Sequence, residues 1–224
     1  MIHVRRVSGE KVAEFPADQL STVLVLKQRL QQICGLPRFR LRLLRGDAAL
    51  FDANELAPGM HLTLVVLPLA EVSEARKREL HDAAAMGLEH VVEIMLQRPL
   101  HPDSARDGSV TPLYAASRDG HLSTVRLLLE AFADANVATE VGKTPALVAF
   151  EGGHREILRL LLESGADKDW RDADGKTLLW RACEGGNADM VQLLIGIHAD
   201  AEAASEARET KGETPPLGGM FPGA

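Results

Sequence analysis

Two tripeptides carry the residue types of a phosphate-binding loop: Gly142-Lys143-Thr144 and Gly175-Lys176-Thr177. Such a loop cradles phosphate with successive backbone N–H groups and needs a further glycine five residues before its last one. Val137 and Trp170 stand there instead, so nucleotide binding is not expected. Asp172-Ala173-Asp174-Gly175 has the opening of a calcium loop but lacks the later oxygen ligands at EF-hand spacing. Eight histidines invite a metal reading, yet no His-Glu-x-x-His or Cys-x-x-Cys spacing gathers ligands. No Gly-x-Ser-x-Gly elbow occurs, and neither Cys34 nor Cys183 has a legible histidine partner. Both cysteines read as small buried hydrophobes. The residues specify no catalytic group, cofactor or metal, and the chain reads as non-enzymatic.

Composition bounds what the elements can be. The chain has 224 residues, 46% apolar and only 4% aromatic, so Leu, Val and Ala must fill its cores. Residues 1–69 carry nine Lys/Arg against six Asp/Glu, and residues 70–224 carry sixteen against twenty-six. That split suggests two units and argues against nucleic acid as a partner of the acidic one. Two cysteines cannot build a disulfide framework, which favours a reducing compartment. MIHVRRVSGEKV has no apolar signal-peptide core, and no apolar run approaches membrane-spanning length. The expectation is a soluble protein of the cytoplasm or nucleus without a membrane partner.

The larger unit is organised by repetition. Thr111, Thr144 and Thr177 stand 33 residues apart, as do Gly120, Gly153 and Gly186, and the Ala-Asp pairs at 133–134, 166–167 and 199–200. The leucine runs at 127, 160 and 193 keep the same step. Matches in phase at one period mark a repeat array. Each threonine can cap a first helix, and a following proline is tolerated in the first turn. Val125, Leu128 and Leu129, then Ile157, Leu161 and Leu162, then Val191, Leu194 and Ile195 are the expected packing residues of the second helices. Stepping back 33 residues from Thr111 reaches Arg78, where Leu80-His-Asp-Ala-Ala-Ala-Met-Gly87 repeats the pattern. Thr111-Pro-Leu-Tyr-Ala-Ala with Gly120-His121, and Gly165-Ala-Asp after a leucine-rich helix, resemble the ankyrin repeat. In that family histidines such as His121 and His154, and by position His81, bond the backbone of adjoining loops.

The N-terminal unit reads differently. Ile2 and Val4, then Ala13 and Phe15, alternate with polar residues, which predicts a hairpin around Ser8-Gly9-Glu10. Ser21 or Thr22 caps a helix whose face is Val23, Leu26, Leu30 and Ile33, and Gly35 and Pro37 end it. Leu41, Leu43 and Leu44 make a third strand and 61–67 the last. In the run Arg38-Phe-Arg-Leu-Arg-Leu-Leu-Arg45, alternation favours arginines on a wet strand face over a basic binding stripe. Thr22-Val23…Leu26-Lys27…Gly35-Leu36-Pro37 and Arg42-Leu43-Leu44…Gly46…Leu50-Phe51-Asp52 resemble the ubiquitin-like β-grasp domain. The resemblance implies a recognition patch at Leu44 and Val65, although the first turn offers Ser8 where the family has an apolar residue. The last strand runs on into Pro68-Leu69-Ala70, so conjugation through a free tail is not expected.

The expected fold is therefore an α+β two-domain chain: a ubiquitin-like β-grasp at 1–69, a linker at 70–77, and an all-α ankyrin solenoid at 78–213. Its four repeats are 78–110, 111–143, 144–176 and 177–213, with 214–224 a truncated fifth repeat or tail. The linker is expected to be helical, capped by Ser73 and carrying a Glu74–Arg78 pair. The ankyrin resemblance implies a concave partner face of hairpin tips and first helices. Its candidates are Val110, Arg118 and Asp119; Glu140, Val141, Lys143 and Glu151; and Arg171, Ala173, Asp174, Lys176 and Glu184. Trp170 joins them either as an interface anchor or as packing under the adjacent hairpin. The implied function is a protein-binding adaptor or scaffold. One alternative is an adaptor for ubiquitin-pathway proteins; another is a regulatory part of a larger enzyme.

Overall fold

The computed structural model describes residues 1–69, 73–98, 100–105, 110–172 and 174–197. Strands β1 (Ile2–Arg6) and β2 (Lys11–Phe15) form the predicted hairpin. A second hairpin, β3 (Leu41–Arg45) with β4 (Ala48–Leu50), turns at Gly46, and β5 (His61–Val66) enters between β1 and β3. The order is β2-β1-β5-β3-β4, with β1 and β5 parallel and the other pairs antiparallel. Four strands were expected; Ala48-Ala-Leu50 is too short to show alternation and adds a fifth. This five-stranded mixed sheet fits a β-grasp-like domain.

Helix α1 (Val23–Cys34) packs across the sheet. Thr22 Oγ1 accepts the Val25 N–H at its start, and Gly35 ends it in the left-handed region. Val23, Leu26 and Leu30 are fully buried against Ile2, Val4, Leu41, Leu43, Leu62 and Leu64. Ile33 is not: it stands half exposed, and Cys34, one turn beyond Leu30, takes the place on the core.

Paired helices follow: α2 (Glu74–Ala85) with α3 (Glu89–Leu96), α4 (Pro112–Arg118) with α5 (Leu122–Glu130), and α6 (Pro145–Glu151) with α7 (Arg155–Glu163). Then come α8 (Leu178–Glu184) and helical residues 188–197, here α9. Residues 70–72 lie outside the described residues. Ser73 precedes α2 without a capping side-chain bond, and Glu74 pairs with Lys77 at 2.7 Å rather than with Arg78. One apolar core runs from Leu80 through Val92, Leu113, Leu128, Leu147 and Leu161 to Leu194. Ile195 is left half exposed, and Cys183, expected inside, is exposed.

The same few bonds recur along the array. Thr111, Thr144 and Thr177 cap α4, α6 and α8 by accepting the N–H three residues on, at 3.1, 3.2 and 3.3 Å. His121 Nε2 bonds the carbonyl of Ala85 at 2.9 Å, and His154 Nε2 that of Arg118 at 3.2 Å, each 36 residues back. The loops are shaped for those rings. A Cβ on Gly87 would stand 2.5 Å from His121, and one on Gly120 2.6 Å from His154. Both glycines also have positive φ, a region costly for other residues. His81 lies elsewhere in the repeat: its Nδ1 meets Asp82, and Nε2 is buried without a partner among the described residues. In the fourth repeat Asn187 replaces the histidine and caps α9 instead, accepting the Met190 N–H.

The two parts meet at one 3-10 turn, Arg38–Arg40. Arg38 is not on a wet strand face as alternation suggested. Only 4% exposed, it donates Nη1 to Asp52 at 3.0 Å, Nη2 to Glu93 of α3 at 3.2 Å and Nε to Glu130 of α5 at 3.0 Å. Lys27 closes the cluster on Asp52 at 2.6 Å. The Arg38 guanidinium also stacks over Phe39, 4.0 Å from its centroid, and Phe39 is buried in the core of the helical array. The wet-face reading holds for Arg42 and Arg45, which are exposed beside buried Leu41 and Leu43.

Adjacent hairpins are also joined by side chains. Asp103 accepts the Asp134 N–H at 3.0 Å, and 33 residues on Asn136 accepts the Asp167 N–H at 2.7 Å. Burial raises the Asp103 carboxyl above its ordinary range, opposed by the bond from Asp134. The folded state therefore holds this proton more tightly than the unfolded chain, and the group costs stability as pH rises through its folded pKa. Asp103→Asn keeps the acceptor, as Asn136 does, and removes the charge. Denaturant titrations should find the variant more stable than wild type at neutral pH, with the gap closing below the ordinary aspartate range. A gap independent of pH would refute this assignment.

Candidate functional site

The inner helices and hairpin tips hold most of the residues singled out from the sequence. Two hairpins have matching bonds: Thr139 N–H to Lys143 O and Gly142 N–H to Thr139 O, then Asp172 N–H to Lys176 O and Gly175 N–H to Asp172 O. Positive φ at Gly142 and Gly175 makes these turns, so the Gly-Lys-Thr tripeptides are a hairpin followed by a helix cap. The Asp172 carboxylate accepts the N–H groups of Asp174 and Lys176 and pairs with Arg181. The Lys176 amide, with Arg181 and Asp174, holds it below the ordinary aspartate range. Its lone pairs shape the turn, which accounts for the calcium-loop likeness.

Six of the charged candidates are joined in three pairs. Lys143 Nζ meets Glu151 at 2.7 Å, and Lys176 Nζ meets Glu184 at 2.7 Å in the same relation one repeat later. Arg118 grips Asp119 with two bonds of 2.8 and 2.7 Å. That bond lowers the Asp119 pKa and raises that of Arg118. Exposed pairs of this kind contribute up to about 1 kcal/mol each, so a partner can open them at small cost. Glu140 and Val141 project at a hairpin tip, Val141 71% exposed, while Val110 is half-buried just before the Thr111 cap. Ala173 lies outside the described residues.

The tryptophans divide. Trp170 is half-buried, and its indole N–H donates to the Gly142 carbonyl of the preceding hairpin at 3.2 Å. The packing role weighed for it thus has a specific bond behind it. Trp180, on α8, was not singled out. Its repeat position holds His81, Tyr114 and Leu147 earlier in the array, all buried, whereas Trp180 is 61% exposed. Trp180 lines an open cleft of about 410 Å³ with Arg171, Asp174, Gly175, Lys176 and Thr177. The cleft gathers three of the sequence candidates, Arg171, Asp174 and Lys176, around the aromatic that was missed. Repeat register hid it by assigning its position to framework; the change to Trp at a position holding Tyr and Leu was the available signal.

The sheet presents a second surface. Arg42 pairs with Val65 and Leu44 with Thr63 across β3 and β5, which places Leu44 and Val65 on one face, diagonal to each other. Both are partly exposed. His3 and His61 stack beside them on β1 and β5, with centroids 4.7 Å apart.

No helix among the described residues is long and apolar enough to cross a membrane. A comparison with curated proteins returned no significant match. The family model for three copies of the ankyrin repeat matches residues 80–172, and the single-repeat model matches 174–205. Together they span more than half of the chain, over the helices whose caps, glycines and histidine bridges are described above. The chain belongs to the ankyrin repeat proteins, with a β-grasp-like sheet domain ahead of its repeats.

Proposed function

We propose that this chain is a non-catalytic adaptor that works in the cytoplasm and binds a protein partner through the hairpin tips and first helices of its repeats. Ankyrin repeats are protein-interaction modules, which supports the class of function. The observation that carries the choice of surface is Trp180, 61% exposed in a cleft with Arg171, Asp174 and Lys176. Tryptophan and arginine dominate the energetics of interfaces, where a large ring is desolvated and a guanidinium makes directed bonds. The mixed charge of the cleft favours a partner that offers both an apolar side chain and charged groups. Affinity capture followed by calorimetry with the purified partner tests this. Trp180→Ala with Arg171→Glu should weaken binding at least about tenfold, a loss of about 1.4 kcal/mol, with the circular dichroism of the array unchanged. Unchanged affinity would refute this surface.

A second reading, an adaptor for ubiquitin-pathway proteins, is favoured by the shared placement of Leu44 and Val65 on the open sheet face. Titrating the labelled full chain with a ubiquitin-binding domain should shift the Leu44 and Val65 resonances. Shifts elsewhere, or none, would sink this reading.

A further inference from the structure

The junction of the two domains forms a groove of about 250 Å³ that neither surface above uses. Its floor is Phe39, Leu96 and Leu100, each buried, and Leu36 and Pro37 wall one side. Leu69 and Phe132 stand at its lips, 43% and 49% exposed. Phe132 is the one non-glycine residue with positive φ among the described residues, at 67°. In the next repeat the same position is Gly165, also in positive φ. The strained backbone thus carries a large aromatic where the next repeat has glycine, and that aromatic stays half in water at the mouth of an apolar groove.

The groove's charge says what fits. Arg40 and Arg98 are among the lining residues, and no acid is. Arg98 is exposed and has no ion-pair partner among the described residues, while Arg40 spends only its Nε on the Leu67 carbonyl. This basic rim belongs to a chain of net charge −7. We propose that the domain junction is a second docking site, for an extended peptide segment of a partner protein that carries a bulky apolar residue flanked by Asp or Glu. The apolar side chain enters between Phe132 and Leu36, and the acids meet Arg98 and Arg40. Because both domains build the groove, only the joined chain binds.

The test uses the whole chain. Random dodecapeptides displayed on phage are selected on it, and the consensus is synthesised with a fluorophore for anisotropy. The consensus should carry a bulky apolar residue beside Asp or Glu. Phe132→Gly and Arg98→Glu should each weaken it at least about tenfold, and Trp180→Ala should leave it unchanged, which separates this site from the repeat face. Phe132→Gly retains a folded chain, since Gly165 occupies the same backbone state, and its melting temperature should not fall. A consensus without acids, binding insensitive to both groove substitutions, or loss on Trp180→Ala would overturn the proposal. Sedimentation showing a dimer broken by Phe132→Gly would overturn it too, by assigning the groove to a second copy.

Discussion

A guanidinium taken out of water must find acceptors for its donors, and Arg38 finds them in both domains. Asp52 comes from the loop after β4, Glu93 from α3 and Glu130 from α5. Desolvating such a group is expensive, and the planar fork recovers the cost only when the carboxylates are already in place. Lys27 helps by sharing Asp52, so two cations face three carboxylates. Phe39 then inserts the neighbouring position into the helical core. The sheet domain is thereby fixed against the outer helices of the first two repeats. The groove beside Phe132 lies at that junction, lined by Phe39 and Arg40 of the same turn.

Within the array the division of labour is set by stacking. A repeat cannot bury its own apolar face, so caps, glycines and histidine bridges are spent on holding neighbours in register. What remains free is the hairpin tips and the exposed side of the first helices. The fourth repeat differs on both counts. It gives up the histidine bridge for the Asn187 cap, and it turns an aromatic, Trp180, outward at a position buried in its predecessors. The repeat without the histidine bridge is thus the one that carries a wet aromatic.

The array was largely legible in the sequence because a period of 33 gives every position several witnesses. Thr111, Thr144 and Thr177 as caps follow from that repetition, and the ankyrin resemblance implied His121 and His154 as bridges. Arg38 was not legible. Local alternation accounts for its neighbours, and its carboxylates lie 14, 55 and 92 residues away. Strand β4 was too short to show a period, and Ile33 fell just off a helical stripe that Cys34 completes. Trp180 was lost for the opposite reason, since a strong repeat register conceals the member that departs from it. Charge pairing across domains is a tertiary fact of which local alternation carries little trace, whereas the departure at Trp180 was present in the sequence and only its exposure needed the structure.

The central claim, that Arg38 makes one cooperative body of two domains, is tested by denaturant unfolding followed with two probes at once. Trp170 and Trp180 fluorescence reports the array, and methyl resonances of Val4 and Leu64 report the sheet. Wild type should unfold in one transition common to both probes. Arg38→Ala, which leaves Glu93 and Glu130 without their cation, should destabilise by about 1.5–3 kcal/mol and separate the two transitions. Separate transitions in wild type, or an Arg38→Ala variant that unfolds as wild type does, would contradict it.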